Sequence, residues 1–202
     1  ANDPEPLDGV IITGAPVEHL AFEEVKYWDE FVNITNEARN SCASTLGLCW
    51  AGFALAYLAG VNKTVFDKKL FGVFPLKSLA PGHPLMGTQD DEFICPQSRF
   101  AGLPDLEMEE AQKEGKLNLL AYGKDVGYTI FETKDQKQLM HLGHPEYTVH
   151  RIISEINRDK EKGDVPPPEN FDINCSNTSW RSHRNLLFQQ WLWFCYQQVS
   201  LS

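Results

Sequence analysis

The stretch STLGLCWAGFALAYLAG, Ser44 to Gly60, constrains the fold more than any other part of the chain. A short apolar run, Ser44 to Leu48, reads as a buried strand and arrives at Cys49. An apolar, alanine-rich run leaves at the next residue, Trp50 to Ala59, reads as a helix and is stopped by Gly60. Upstream, Gly9 to Thr13 reads as another buried strand that breaks into a Gly14–Pro16 loop. Phe22 to Arg39 then reads as one helix, with Val25, Trp28, Phe31 and Val32 on a single face. Strand, helix, strand, helix in this order predicts parallel pairing and an α/β sheet covered on both faces.

The middle of the chain changes character. KLFGVFPL, DEFICPQSRF, LNLLAYG and GYTIFET are short β-like runs separated by Gly, Pro and Lys-Asp turns. QLMHLGHPEY carries a further strand into His144-Pro145. Tyr147 to Lys162 follows as a helix with Val149, Ile152, Ile153 and Ile156 as its core stripe. An irregular connector then leads to an aromatic-rich helix, Trp180 to Gln198. A doubly wound sheet normally begins near its middle, whereas this chain opens almost directly into a buried-type strand.

Composition narrows the function. A net charge of −10 over 202 residues argues against nucleic acid, whose phosphates need a basic face. No apolar run approaches the ~20 residues that span a bilayer, and ANDPEPLDG shows no charged region followed by an apolar one. The expectation is therefore a cytoplasmic protein with neither a nucleic-acid nor a membrane partner. The five cysteines (Cys42, Cys49, Cys95, Cys175, Cys195) are odd in number and lack CxxC spacing, which speaks for a reducing compartment and against structural zinc.

Cys49 holds the position of a nucleophile elbow, between strand and helix. A helix N-terminus favours thiolate, and its free N–H groups can hold a developing oxyanion. A buried packing cysteine is the plain alternative. A thiol nucleophile needs a base, and His144 falls at the end of another strand. Strand C-termini gather along one edge of an open α/β sheet, so 95 residues of separation do not prevent contact. Glu146, two residues on, is placed to orient the imidazole, with Pro145 stiffening the backbone between them. A turn histidine and a first-turn helix carboxylate are the plain alternatives. His19, His83, His141, His150 and His183 lack such a neighbour.

DGVIITGAPVEHLAFEEVKYW, STLGLCW, KKLFGVF, FICPQSRF, LGHPEY and SWRSHRNLLFQQWL together resemble the homoserine O-acyltransferase family, in order and spacing along nearly the whole chain. The resemblance implies a fold like the class I glutamine amidotransferases, a flavodoxin-like α/β sheet with helices on both faces, and a Cys49–His144–Glu146 triad. It implies an acyl-CoA as co-substrate with no further cofactor, and acylation of Cys49 with the Trp50 amide in the oxyanion hole. Transfer to the hydroxyl of an amino acid follows, L-homoserine first and L-serine as the rival. Lys69, Ser98 and Arg158 fall on the family's substrate-binding positions. The bland readings are a solvated lysine pair at Lys68-Lys69 and a loop serine at Ser98. Arg158 lies about 180° from the Val149/Ile153/Ile156 stripe, which predicts solvent unless a cleft lies on that face. The position after TGAP-x separates the family by donor, glycine going with succinyl-CoA and glutamate with acetyl-CoA. Glu18 stands there, and a carboxylate at the acyl pocket repels succinate but not acetate.

Two departures stand out. Family members usually carry Gln or a similar polar residue where this chain has Phe53. They also carry N-terminal strands, with a second oxyanion donor, that precede anything present here. The expectation is a single acyltransferase domain over residues 1–202, N-terminally incomplete, with a homodimer as its possible assembly. A glutaminase-like hydrolase using the same triad and a non-catalytic homologue are the competing readings.

Overall fold

The computed structural model describes residues 7–163, 166–174 and 177–200; Cys175, the first six residues and parts of the connector after Gly163 lie outside them. The strands are β1 (Gly9–Ile12), β2 (Ser44–Leu48), β3 (Thr64–Ser78), β4 (Glu92–Gly102), β5 (Leu117–Gly123), β6 (Gly127–Thr133) and β7 (Gln138–His141). The helices are α1 (Trp28–Ser41), α2 (Trp50–Leu58), α3 (Asp105–Lys113), α4 (Val149–Lys162) and α5 (Arg181–Ser200). One seven-stranded sheet runs in the order β1-β2-β7-β6-β5-β3-β4. β1, β2 and β7 pair in parallel, and every other pairing is antiparallel. The parallel expectation thus holds only where helices connect the strands. β5, β6 and β7 are joined by short turns, which reverse direction and impose antiparallel ladders, and β3 pairs antiparallel with both β4 and β5.

Both faces are covered. Phe31 of α1, most of α2, and Met108 and Ala111 of α3 pack on one face against Leu117, Leu119, Phe131 and Met140. Trp191, Phe194 and Cys195 of α5 pack on the other against Leu46, Leu48, Ile130 and Leu139. α4 lies on the β3–β4 ribbon, with Ile152 and Ile156 against Phe71 and Val73. Its start is fixed by Thr148, whose hydroxyl accepts the Arg151 N–H. Among the described residues no helix is long and apolar enough to cross a membrane.

Two helical expectations need correction. Phe22–Glu24 is a separate 3-10 turn, because Val25 is extended (φ −73°, ψ 122°), and α1 begins only at Trp28. Phe22 and Val25 are nonetheless buried, so the apolar spacing reported packing rather than continuity. α3 was not anticipated, although Pro104 before it, Asp105 and Glu107 in its first turn and Lys113 in its last are ordinary helix-end signals.

Candidate active site

β2 passes into α2 through Cys49, whose backbone sits at φ 52° and ψ −117°. That conformation is costly for a residue with a side chain and persists only where the surroundings enforce it. Two glycines do so. A Cβ on Gly47 would lie 3.0 Å from the Ala51 carbonyl, and one on Gly52 3.1 Å from the Gly47 carbonyl, so strand and helix meet backbone to backbone. The Thr13–Pro16 loop closes from the other side. A Cβ on Gly14 would lie 3.0 Å from the Cys49 Cβ and 3.4 Å from its Sγ. The small residues at 47 and 52 were legible in GLCWAG as the companions of a nucleophile elbow, but were not read that way.

His144 follows β7, as expected, on a turn tied to β4 by its N–H donating to the Pro96 carbonyl at 2.8 Å. Its Nδ1 donates to Glu146 Oε1 at 2.6 Å, and the ring lines the same cleft as Cys49. Tyr147 stacks on the imidazole with centroids 4.2 Å apart. Burial disfavours the imidazolium, but the hydrogen bonds and charges of Cys49 and Glu146 outweigh it and push His144 up to about 10.

These groups line a cleft of about 690 Å³ together with Glu18, Lys69, Ser98 and Arg158. All eight sequence-derived candidates are thereby accounted for, Trp50 being the first residue of α2. Lys69 is buried, so the surface alternative fails. Its Nζ donates to Glu155 Oε1 and Asp159 Oδ2, each at 2.6 Å. The Ser98 hydroxyl also donates to Glu155 Oε1. Arg158 Nη2 reaches Glu155 Oε1 and its Nε reaches Asp159 Oδ1, each at 3.0 Å. The solvent-facing expectation for Arg158 resolves as the cleft-facing one: its side chain is 45% exposed while Glu155 is 3% exposed. Glu18, too, is a buried wall residue rather than an exposed loop charge.

Sequence reading missed Glu155 and Asp159. They sit at i and i+4 on α4, along the edge of the apolar stripe, and nothing local says that their partners are 86 and 90 residues away. Burial opposes ionisation of Glu155, but Lys69 and Ser98 hold it down to about 2. The remaining histidines also need correction, because two have carboxylate partners from distant segments: His83 with Glu132 at 2.9 Å and His183 with Asp90 at 3.4 Å.

A strained cysteine between a parallel strand and its helix, facing a histidine–carboxylate pair from the next strand's end, is the arrangement of an amidotransferase-like α/β protein with a thiol in its cleft. A solved structure of a glutamine amidotransferase from Thermotoga maritima is similar at a TM-score of 0.71 and 13% identity, over 96% of this chain and 81% of that one. The chain belongs to the homoserine O-succinyltransferase family, whose model matches residues 3–201. A protein named homoserine O-acetyltransferase from Bacillus subtilis is 39% identical over 96% of this chain and 65% of its own length. One named homoserine O-succinyltransferase from Psychromonas ingrahamii is 38% identical over 96% of this chain and 65% of its own. The chain thus spans about 65% of the length of these relatives.

Proposed function

We propose that the protein transfers an acetyl group from acetyl-CoA to the hydroxyl of L-homoserine, through an S-acetyl-Cys49 intermediate, in the synthesis of methionine. What supports this reading is that Cys49 and the hydrogen-bonded pair His144–Glu146 line one cleft with Lys69 and Arg158. His144 takes the thiol proton, and the Cys49 sulfur attacks the thioester carbonyl. The negative oxygen that forms is held by the Trp50 N–H at the α2 N-terminus. The carbon–sulfur bond to CoA breaks, and the CoA sulfur leaves with the proton from His144. The homoserine hydroxyl then gives its proton to His144 and attacks the acetyl carbon. The Cys49 sulfur departs and regains a proton, leaving O-acetylhomoserine.

Arg158, with its guanidinium half-exposed, binds the α-carboxylate of the acceptor. Lys69 and Ser98 shape the floor beneath it through Glu155. The preference for acetyl rests on Glu18 in the cleft wall, where a succinyl carboxylate would meet a like charge. Relatives bear both donor names, so the donor rests on that residue.

Intact-mass spectrometry after incubation with acetyl-CoA tests the proposal. One acetyl should appear on the parent protein and none on Cys49→Ala. A succinyl adduct from succinyl-CoA without an acetyl adduct overturns the donor assignment. Ammonia from glutamine with no acyl adduct replaces transfer by hydrolysis, and silence in both assays leaves a non-catalytic homologue.

A further inference from the structure

His141 ends β7, is only 1% exposed, and has no part in the transfer proposed above. Its carbonyl accepts the Cys49 N–H at 2.9 Å, so the strand end holds the strained elbow directly. Its side chain serves the residues that follow. Nδ1 accepts the Gly143 N–H at 3.0 Å, one residue before His144. A ring nitrogen that accepts carries no proton, so a neutral imidazole here has its proton on Nε2. Burial, and after it the charge of His144, push His141 down to about 3 and keep the ring neutral. Nε2 lies 3.8 Å from the Cys95 sulfur on β4. Burial pushes the Cys95 thiol well up, so it keeps its own proton and donates it to the Pro96 carbonyl at 3.4 Å. The same carbonyl accepts the His144 N–H at 2.8 Å. These contacts leave little slack. A Cβ on Gly143 would lie 2.5 Å from Gln97 Nε2, 2.8 Å from the Pro96 carbonyl oxygen and 3.0 Å from the Cys95 sulfur.

We infer that His141 is a positioning residue for Cys49 and His144 together: its main chain fixes the Cys49 backbone, and its ring, through Gly143 and Cys95, fixes the turn that holds His144. The two side chains then keep one separation although they belong to different segments. The inference rests on the reading that Cys49 and His144 react together. A misplacement of about 1 Å between reacting groups can cost about 10²-fold in rate, so the separation matters to the chemical step more than to binding.

The test compares acyl transfer in the parent, His141→Leu and His141→Asn. Leucine removes both ring hydrogen bonds while filling most of the space. Asparagine keeps an acceptor, its Oδ1, where Nδ1 stood. In His141→Leu kcat should fall by about 10–100-fold, with the KM of donor and acceptor within about two-fold of the parent. His141→Asn should recover most of that loss. A parental kcat in His141→Leu overturns the inference, and so does an equal loss in both variants, which marks packing alone. If His141→Leu does not fold, Cys95→Ala decides, being a smaller cut in the same chain of hydrogen bonds. Its kcat should fall by about ten-fold, and a parental value overturns the inference. A second readout needs no acyl donor. Isotope-edited histidine NMR follows the His144 Nδ1–H, which Glu146 holds. That proton should exchange with water about ten-fold faster in His141→Leu or Cys95→Ala than in the parent. Equal exchange overturns the inference even where the parent transfers no acetyl, a failure that belongs to the proposed function instead.

Discussion

The two ends of the cleft are built by different means. At the Cys49 end, Glu146 is two residues from His144, and Cys49 is held by backbone geometry, with its φ of 52° forced by contact between β2 and α2. At the other end, Lys69, Ser98, Glu155, Arg158 and Asp159 come from β3, β4 and α4 and hold one another by charge and hydrogen bonds. The first end stores strain in a few atoms, while the second balances two cations against two carboxylates in a partly dry place. Loss of the Cys49 sulfur should therefore remove chemistry and spare stability, whereas damage to the second end should cost both.

The largest effect expected is from Cys49→Ala. Acyl transfer should fall by about 10⁴-fold or more, with the urea midpoint close to the parent value. Cys49→Gly should be as inactive, yet more stable by about 1 kcal/mol, because glycine accepts the positive φ freely. A large loss of stability in either variant would break the contrast.

Glu155→Gln should destabilise by about 3–5 kcal/mol in urea unfolding, since Lys69 loses one of its two buried partners. The acceptor KM should rise with it, as Arg158 and Ser98 lose their anchor. The double variant Lys69→Met/Glu155→Gln should cost less than the sum of its singles, and additive losses would show that the cluster is not one unit.

The two ends should also fail at opposite extremes of pH. Glu155 is lowered from 4.5 to about 2, so the stability it contributes is complete above 4.5 and is lost as pH falls toward 2. His144 is raised from 6.5 to about 10, so its contribution is complete below 6.5 and is lost as pH rises toward 10. Urea midpoints measured across pH should lose their acid limb in Glu155→Gln and their alkaline limb in His144→Gln. The opposite pairing would refute both assignments.

The smallest expected effect is from Glu18→Gly. The ratio of succinyl-CoA to acetyl-CoA turnover should rise about ten-fold, in proportion to the relief of one like-charge contact. Unchanged selectivity would make Glu18 a bystander in the wall.

The Cys49 end was the legible one. STLGLCW and GHPEY each place a reactive group at a strand terminus, and a parallel βα sheet brings such termini to one edge whatever lies between them. The other end was legible only as a list of types and positions, drawn from a resemblance. That Lys69 is buried, or that Arg158 turns into the cleft, depends on Glu155 and Asp159, whose charge alone reads as solvated although they flank the apolar stripe. The break at Val25 was hidden because Phe22 and Val25 keep helical apolar spacing while packing through a loop.

By itself, the amino-acid order determined the periodic and local features: the buried strand Ser44–Leu48, the apolar helix behind Cys49, the stiffened turn that puts Glu146 beside His144. Periodicity and tight turns are encoded within a few residues, so they survive without the fold. Only the tertiary structure decided which charges meet, that Lys69 lies between the carboxylates of Glu155 and Asp159, because those pairings cross strands and helices far apart in sequence. Their energies depend on how far the surrounding packing excludes water, and no short stretch of sequence specifies that.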